Sequence, residues 1–261
     1  MLIRFSVGNY GSFKEVQTLS MTPGSTDGHP EHLNHRGAVP VLRAAAMYGA
    51  NASGKSNLIK AIRSMKDYVV LDRKIPTDRY FRPDESMRDE PSCFEMELGI
   101  GSSVYSYGFE CVISRQEVVD EWLYRIFEDR DSEILFQRNG ARITHCFEGD
   151  DRNRIDVYAE DVGGHTDRLF LNVMGRRARP NEGGLSVFND VYDWFRDRLR
   201  FIDTEYPFTP EVLVTDSDFE RLNDIISTFG TGINSIGYMR KEGMEDALPQ
   251  GFIDEIRKGL D

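Results

Sequence analysis

The chain has 261 residues, enough for one large domain or two modest ones, and its 39% hydrophobic and 29% charged side chains exclude global disorder. With 44 acidic against 32 basic residues the formal charge is −12, which on average repels phosphate backbones and disfavours nonspecific coating of nucleic acid. Three widely spaced cysteines, Cys93, Cys111 and Cys146, form no CxxC pair, which excludes a cysteine zinc site or a disulfide framework and fits a reducing cytoplasm.

Residues 1–6 lack the basic start and apolar run of a signal peptide, and no stretch approaches about 18 consecutive apolar residues, so a cytoplasmic protein without membrane spans is expected. Residues 2–7 alternate as a strand, Asn9-Tyr10-Gly11-Ser12 reads as a turn, and residues 16–21 offer a second strand, which predicts a hairpin. A loop rich in Gly, Pro and His covers residues 23–40. His29, His32 and His35 recur there every three residues. With Gly28 and Pro30 among them, and no cysteine or carboxylate at convincing spacing, they read as a solvated loop rather than a metal site.

The apolar run 41–48 predicts a buried strand, and Leu58, Ile59, Ile62, Met65 and Val69 then fall on one helical face. From residue 92 to 147 short alternating runs, among them Tyr105, Tyr107 and Phe109, predict an antiparallel meander. Residues 185–199 and 219–229 carry helical apolar stripes, the first with Val187, Phe188, Val191, Trp194, Phe195 and Leu199. Val212-Leu213-Val214-Thr215-Asp216-Ser217-Asp218 has the apolar-strand, Asp-x-Asp order of a Toprim magnesium site. It lacks an upstream Glu at a strand end, since no strand precedes Glu182, and Ser217-Asp218-Phe219-Glu220 fits a helix capping box instead. Arg176, Arg177 and Arg179 form a local basic cluster that reads as paired with surface carboxylates.

Between the predicted strand and helix, Gly49-Ala50-Asn51-Ala52-Ser53-Gly54-Lys55-Ser56 matches GxxxxGK[ST], a pattern that arises by chance in roughly one chain in a hundred of this length. The chemistry requires these residue types. The glycines permit a tight path in which backbone N–H groups surround phosphate, and the helix start adds its positive dipole end. Lys55 would reach the β- and γ-phosphates, and Ser56 would offer its hydroxyl to Mg²⁺. The absence of NKxD disfavours a GTPase, and the leading hairpin disfavours a small-molecule kinase.

Several segments resemble the prokaryotic ATP-binding proteins called AAA-type but built like ABC heads, relatives of the RecF, structural-maintenance-of-chromosomes and overcoming-lysogenization-defect ATPases. The likeness lies in residues 2–13 with Asn9-Tyr10-Gly11-Ser12-Phe13, in Tyr48 to Leu58 around the phosphate loop, and in Tyr105-Ser106-Tyr107-Gly108-Phe109, Glu121-Trp122-Leu123-Tyr124 and Trp194-Phe195-Arg196-Asp197-Arg198-Leu199. The last three recur in similar order in a branch that includes defence-associated ATPases.

The resemblance implies an α/β P-loop NTPase lobe of ABC-like type with an inserted antiparallel β subdomain and C-terminal helices. Its expected divisions are 1–70 (hairpin and phosphate-loop unit), 71–165 (β-rich meander) and 166–261 (helical). It implies ATP and Mg²⁺ bound by Gly49, Ala50, Asn51, Ala52, Ser53, Gly54, Lys55, Ser56 and Asn57, with Ser56 on the metal. It also implies a nucleotide-bridged homodimer and a nuclease or other effector partner in DNA maintenance or phage defence. No residue points to nucleic acid directly.

The sequence departs from that family in its second half. An LSGG-like segment, an apolar strand ending in Asp-Glu and a switch His are absent, and Arg200-Phe201-Ile202-Asp203-Thr204-Glu205 has no long apolar run. The expectation is therefore the N-terminal part of a longer ATPase, hydrolysing ATP poorly or not at all by itself. Gln116 and Gln137 are the nominees for the family's Q-loop glutamine. A phosphotransferase using Arg176, Arg177 and Arg179, and a nonhydrolytic ATP-binding interaction module, are the alternatives.

Overall fold

In the computed structural model of the protein, the described residues are 1–24, 29–34, 39–178, 183–202, 220, 223–225 and 227–228. The expected hairpin forms from β1 (Leu2–Gly8) and β2 (Gln17–Ser20). A two-residue pairing joins β3 (Leu33–Asn34) to β4 (Val41–Leu42). The meander follows as β5 (Ser92–Ile100), β6 (Ser103–Val112), β7 (Glu117–Ile126), β8 (Glu133–Asn139) and β9 (Arg142–His145).

The hairpin and the meander form one sheet, β2-β1-β5-β6-β7-β8-β9, in which every pairing is antiparallel. The expected β meander is therefore continuous with the N-terminal hairpin. β2 occupies one edge of β1, and β5 takes the other, setting Phe5 opposite Met96 and Val7 opposite Phe94 in a shared apolar face. The architecture is mixed α/β with an antiparallel sheet.

Four helices supply the other half of the core: α1 (Lys55–Leu71), α2 (Gly149–Gly163), α3 (Phe170–Val173) and α4 (Ser186–Asp193). The last two are prolonged by π-helical turns over Met174–Ala178 and Trp194–Arg198. Alternation along β5 and β6 points Phe94, Met96, Leu98, Tyr105, Tyr107 and Phe109 into this core, where Tyr68 of α1 meets Phe109 edge-on and Phe195 meets Tyr107. The opposite face carries Ser6, Thr18, Glu95 and Trp122; Trp122 Nε1 donates to Glu95 Oε1 at 3.3 Å. Trp122 lies across Gly108, where a Cβ would stand 2.4 Å from the indole Cζ2, so only glycine fits there.

A carboxylate ties the two layers together. Glu121, fully buried on β7, accepts the N–H groups of Phe170 (2.6 Å) and Leu171 (2.9 Å) at the start of α3 and the Tyr107 hydroxyl (3.0 Å). Buried Arg138 on β8 donates to the carbonyls of Gly140, Arg168 and His165 in the same layer. These bonds satisfy helix-start N–H groups and loop carbonyls that have no partner within their own elements.

Helix α1 follows from its apolar spacing: Leu58, Ala61, Ile62, Met65, Tyr68 and Val69 are buried. Ile59, expected on this stripe, is 45% exposed, because one residue of helical rotation carries it off the face that Leu58 and Ile62 define. The buried strand expected over 41–48 is also corrected. Only Val41–Leu42 pair, residues 43–48 are exposed coil, and Tyr48 is 93% exposed. Apolar composition cannot bury a segment without strands beside it, and beyond Arg43, whose N–H donates to the His32 carbonyl at 2.9 Å, no described strand pairs with 44–48.

The chain divides into two compact units, Met1–Phe201 and Ile202–Asp261. In the second, described residues within 220–227 are helical, in keeping with the stripe read there. His35, Arg179, Asp203 to Glu205, the 212–218 run, the Ser217 capping box and the end of the chain lie outside the described residues.

Candidate functional site

The phosphate-loop sequence sits at the start of α1. Gly54 adopts φ +95° and caps the helix; its carbonyl accepts the N–H of Asn57 (2.9 Å) and Leu58 (3.1 Å). A side chain there would be strained by that φ and would place its Cβ 3.0 Å from Phe13 Cε1 and 3.1 Å from Ser12 Oγ. No acidic residue occupies the first turn of α1, so the dipole's positive end has no carboxylate of its own helix beside it. Lys55 Nζ folds back over the loop and donates to the carbonyls of Gly49 and Ala50, both at 2.7 Å, with Ser53 Oγ at 3.3 Å. Asn51, Ala52 and Ser56 are exposed around it.

The turn after β1 braces this loop. Asn57 Nδ2 donates to Ser12 Oγ at 3.0 Å, and Phe13 covers Gly54. The turn is itself fixed by Asn9, which is 2% exposed. Its Nδ2 donates to the carbonyls of Met87 and Glu90, both at 2.9 Å, its Oδ1 accepts the N–H of Phe81 at 3.0 Å, and its carbonyl accepts the Ser92 hydroxyl at 2.6 Å. Asn9, Ser12 and Phe13 thus position the site although the sequence marks them only as a turn. The signal was their presence in the opening motif of the family resemblance.

The remaining candidates do not gather at the loop. Gln137 pairs with Trp122 on the sheet face opposite the helices, and Gln116 forms the left-handed corner between β6 and β7 at φ 53°. Neither hydrogen-bonds the phosphate loop. Arg176 is exposed on the turn after α3, while the side chains of Arg177 and Arg179 lie outside the described residues. His29 and His32 have a carboxylate partner that the spacing did not disclose: Glu31 Oε1 is 2.9 Å from His29 Nδ1 and 3.7 Å from His32 Nε2, all three exposed. No described carboxylate forms an ion pair with Lys55.

The family model described as "AAA domain, putative AbiEii toxin, Type IV TA system" matches residues 44–203, which contain the phosphate loop, α1, β5 to β9 and α2 to α4. No curated protein matches the chain.

Proposed function

The chain belongs to this AAA domain family, and from that premise we propose that Gly49 to Asn57 bind Mg²⁺-ATP in a nucleotide-controlled switch of an ABC-like ATPase. The observation that carries the reading is the loop's form. A left-handed Gly54 turns the chain into α1, and the Lys55 ammonium already collects the loop's own carbonyl oxygens above the helix start. Phosphate oxygens are stronger acceptors than these carbonyls, so Lys55 is poised to exchange one set for the other. Ser56, exposed at the loop's end, would hold the magnesium ion, which neutralises polyphosphate charge when bound.

Dimerisation through nucleotide, and control of a DNA-directed or anti-phage effector, complete the proposal. They rest on the segments that resemble a branch with defence-associated ATPases, while the family's description adds only a putative toxin of a toxin–antitoxin system.

Calorimetric titration with Mg²⁺-ATP tests the site. Lys55→Ala should weaken binding by about tenfold to a hundredfold, from roughly 1.5–3 kcal/mol for a charged hydrogen-bond set. Equal affinity in the two proteins overturns the assignment.

A further inference from the structure

A second cationic site lies beside the C-terminal half of α1. Lys60, Arg63 and Asp67 fall at i, i+3 and i+7 on the solvent side of that helix, and the segment after it brings Arg73, Lys74 and Arg79 to the same cleft. The space between them is about 250 Å³, far above the roughly 10–15 Å³ that admits one water. Tyr10 and Ile75, both buried, form its floor, and the Tyr10 hydroxyl meets Ser64 Oγ at 3.0 Å.

Five cations and one carboxylate therefore line one cleft of a chain whose net charge is −12. Asp67 is engaged by Arg73 at 3.0 Å, and Lys74 by Asp72 at 2.9 Å and Asp167 at 3.5 Å. Lys60 and Arg79 form no ion pair with a described residue. The backbone holds Arg79 in place nonetheless, since its N–H donates to Pro76 (3.0 Å) and its carbonyl accepts from Gly11 (2.8 Å). The charges of Lys60 and Arg79 are therefore available to a bound anion on the rim of this cleft. Lys60 stands five residues beyond Lys55, about 140° around the helix and about 7.5 Å along it, so this cleft faces away from the phosphate loop.

We propose that this cleft binds phosphate groups of a ligand other than the loop's nucleotide, with Lys60 and Arg79 as its principal contacts. The chemistry recognised is the phosphate ester or anhydride, supplied either by a nucleic-acid strand or by a free polyphosphate. The cleft opens to solvent, which suits a passing backbone, and the Tyr10 and Ser64 hydroxyls beside its floor suit phosphate oxygens.

The test uses the full chain in a Lys55→Ala background, so that the phosphate loop contributes nothing. Fluorescence anisotropy with a labelled 20-nucleotide single strand and with the same duplex is run beside calorimetry with tripolyphosphate. Lys60→Glu/Arg79→Glu changes two exposed side chains, and unchanged circular dichroism verifies its fold. The expected result is binding that the double variant weakens at least tenfold, with a salt dependence shallower by about 0.7–0.9 per lost phosphate contact. In the background that keeps Lys55, the same pair of substitutions should leave Mg²⁺-ATP affinity unchanged. Binding of the oligonucleotides identifies nucleic acid as the source, and binding of tripolyphosphate alone identifies a free polyphosphate. No binding of any probe, or equal binding by the double variant, overturns the proposal.

Discussion

The two flanks of the phosphate loop are held in opposite ways. Downstream, α1 drives Met65 and Tyr68 into the sheet's aromatic core, and Asn57 and Gly54 are braced by Ser12 and Phe13. Upstream, residues 44–48 are exposed and join no strand among the described residues, with Tyr48 almost wholly in solvent. Among the described residues the GxxxxGK[ST] loop is thus braced by α1 and the β1 turn rather than by a preceding sheet strand.

Substitutions that strike one flank and not the other sharpen this contrast. The largest effect is expected for Met65→Ala, which empties a fully buried site under α1 and should cost about 2–5 kcal/mol in urea denaturation. Gly54→Ala should cost about 1–3 kcal/mol, because its φ and the Phe13 ring both oppose a methyl group. Its Mg²⁺-ATP affinity should fall at least about tenfold, a loss of about 1.4 kcal/mol. A preserved affinity would show that the loop does not depend on the Gly54 turn.

Glu121 extends the packed side to a titrating group. Burial holds its carboxyl above the usual range, and this outweighs the downward pull of Arg138, of the Leu171 and Phe170 N–H groups and of the Tyr107 hydroxyl. A folded-state pKa above the unfolded one means that the folded chain retains the proton more tightly. The group's contribution is then complete below the unfolded pKa and is lost as pH rises through the folded one. Glu121→Gln should therefore gain on the wild type as pH is raised above the ordinary carboxylate range, measured as the difference in urea midpoints. A gap that stays constant with pH would break the argument. The smallest effect belongs to the open flank: Tyr48→Ala should change stability by no more than about 0.5 kcal/mol.

What the sequence disclosed was local. The glycine loop and α1 are written in adjacent residues, and alternation alone faced Tyr105, Tyr107 and Phe109 inward. The pairing of β1 with β5 joins residues about ninety apart, and nothing in Phe5 or Val7 names Met96 or Phe94 as partners. Asn9 reads as a turn residue from its type, while its work is done with Phe81, Met87 and Glu90. Residues 41–48 misled for a related reason, since an apolar run records affinity for a neighbour and not the presence of one. The Lys60–Arg79 cleft was hidden by the global charge, because net acidity says nothing about where the cations converge.

The folded-back lysine has a kinetic and thermodynamic corollary. With Lys55 Nζ bonded to Gly49, Ala50 and Ser53, the loop competes with its own ligand. A measured affinity for nucleotide is then a difference between two sets of acceptors rather than the strength of one, and weakening the internal set should tighten binding. Under the proposed reading, a bound polyphosphate would have to displace the loop's own carbonyls from the Lys55 ammonium.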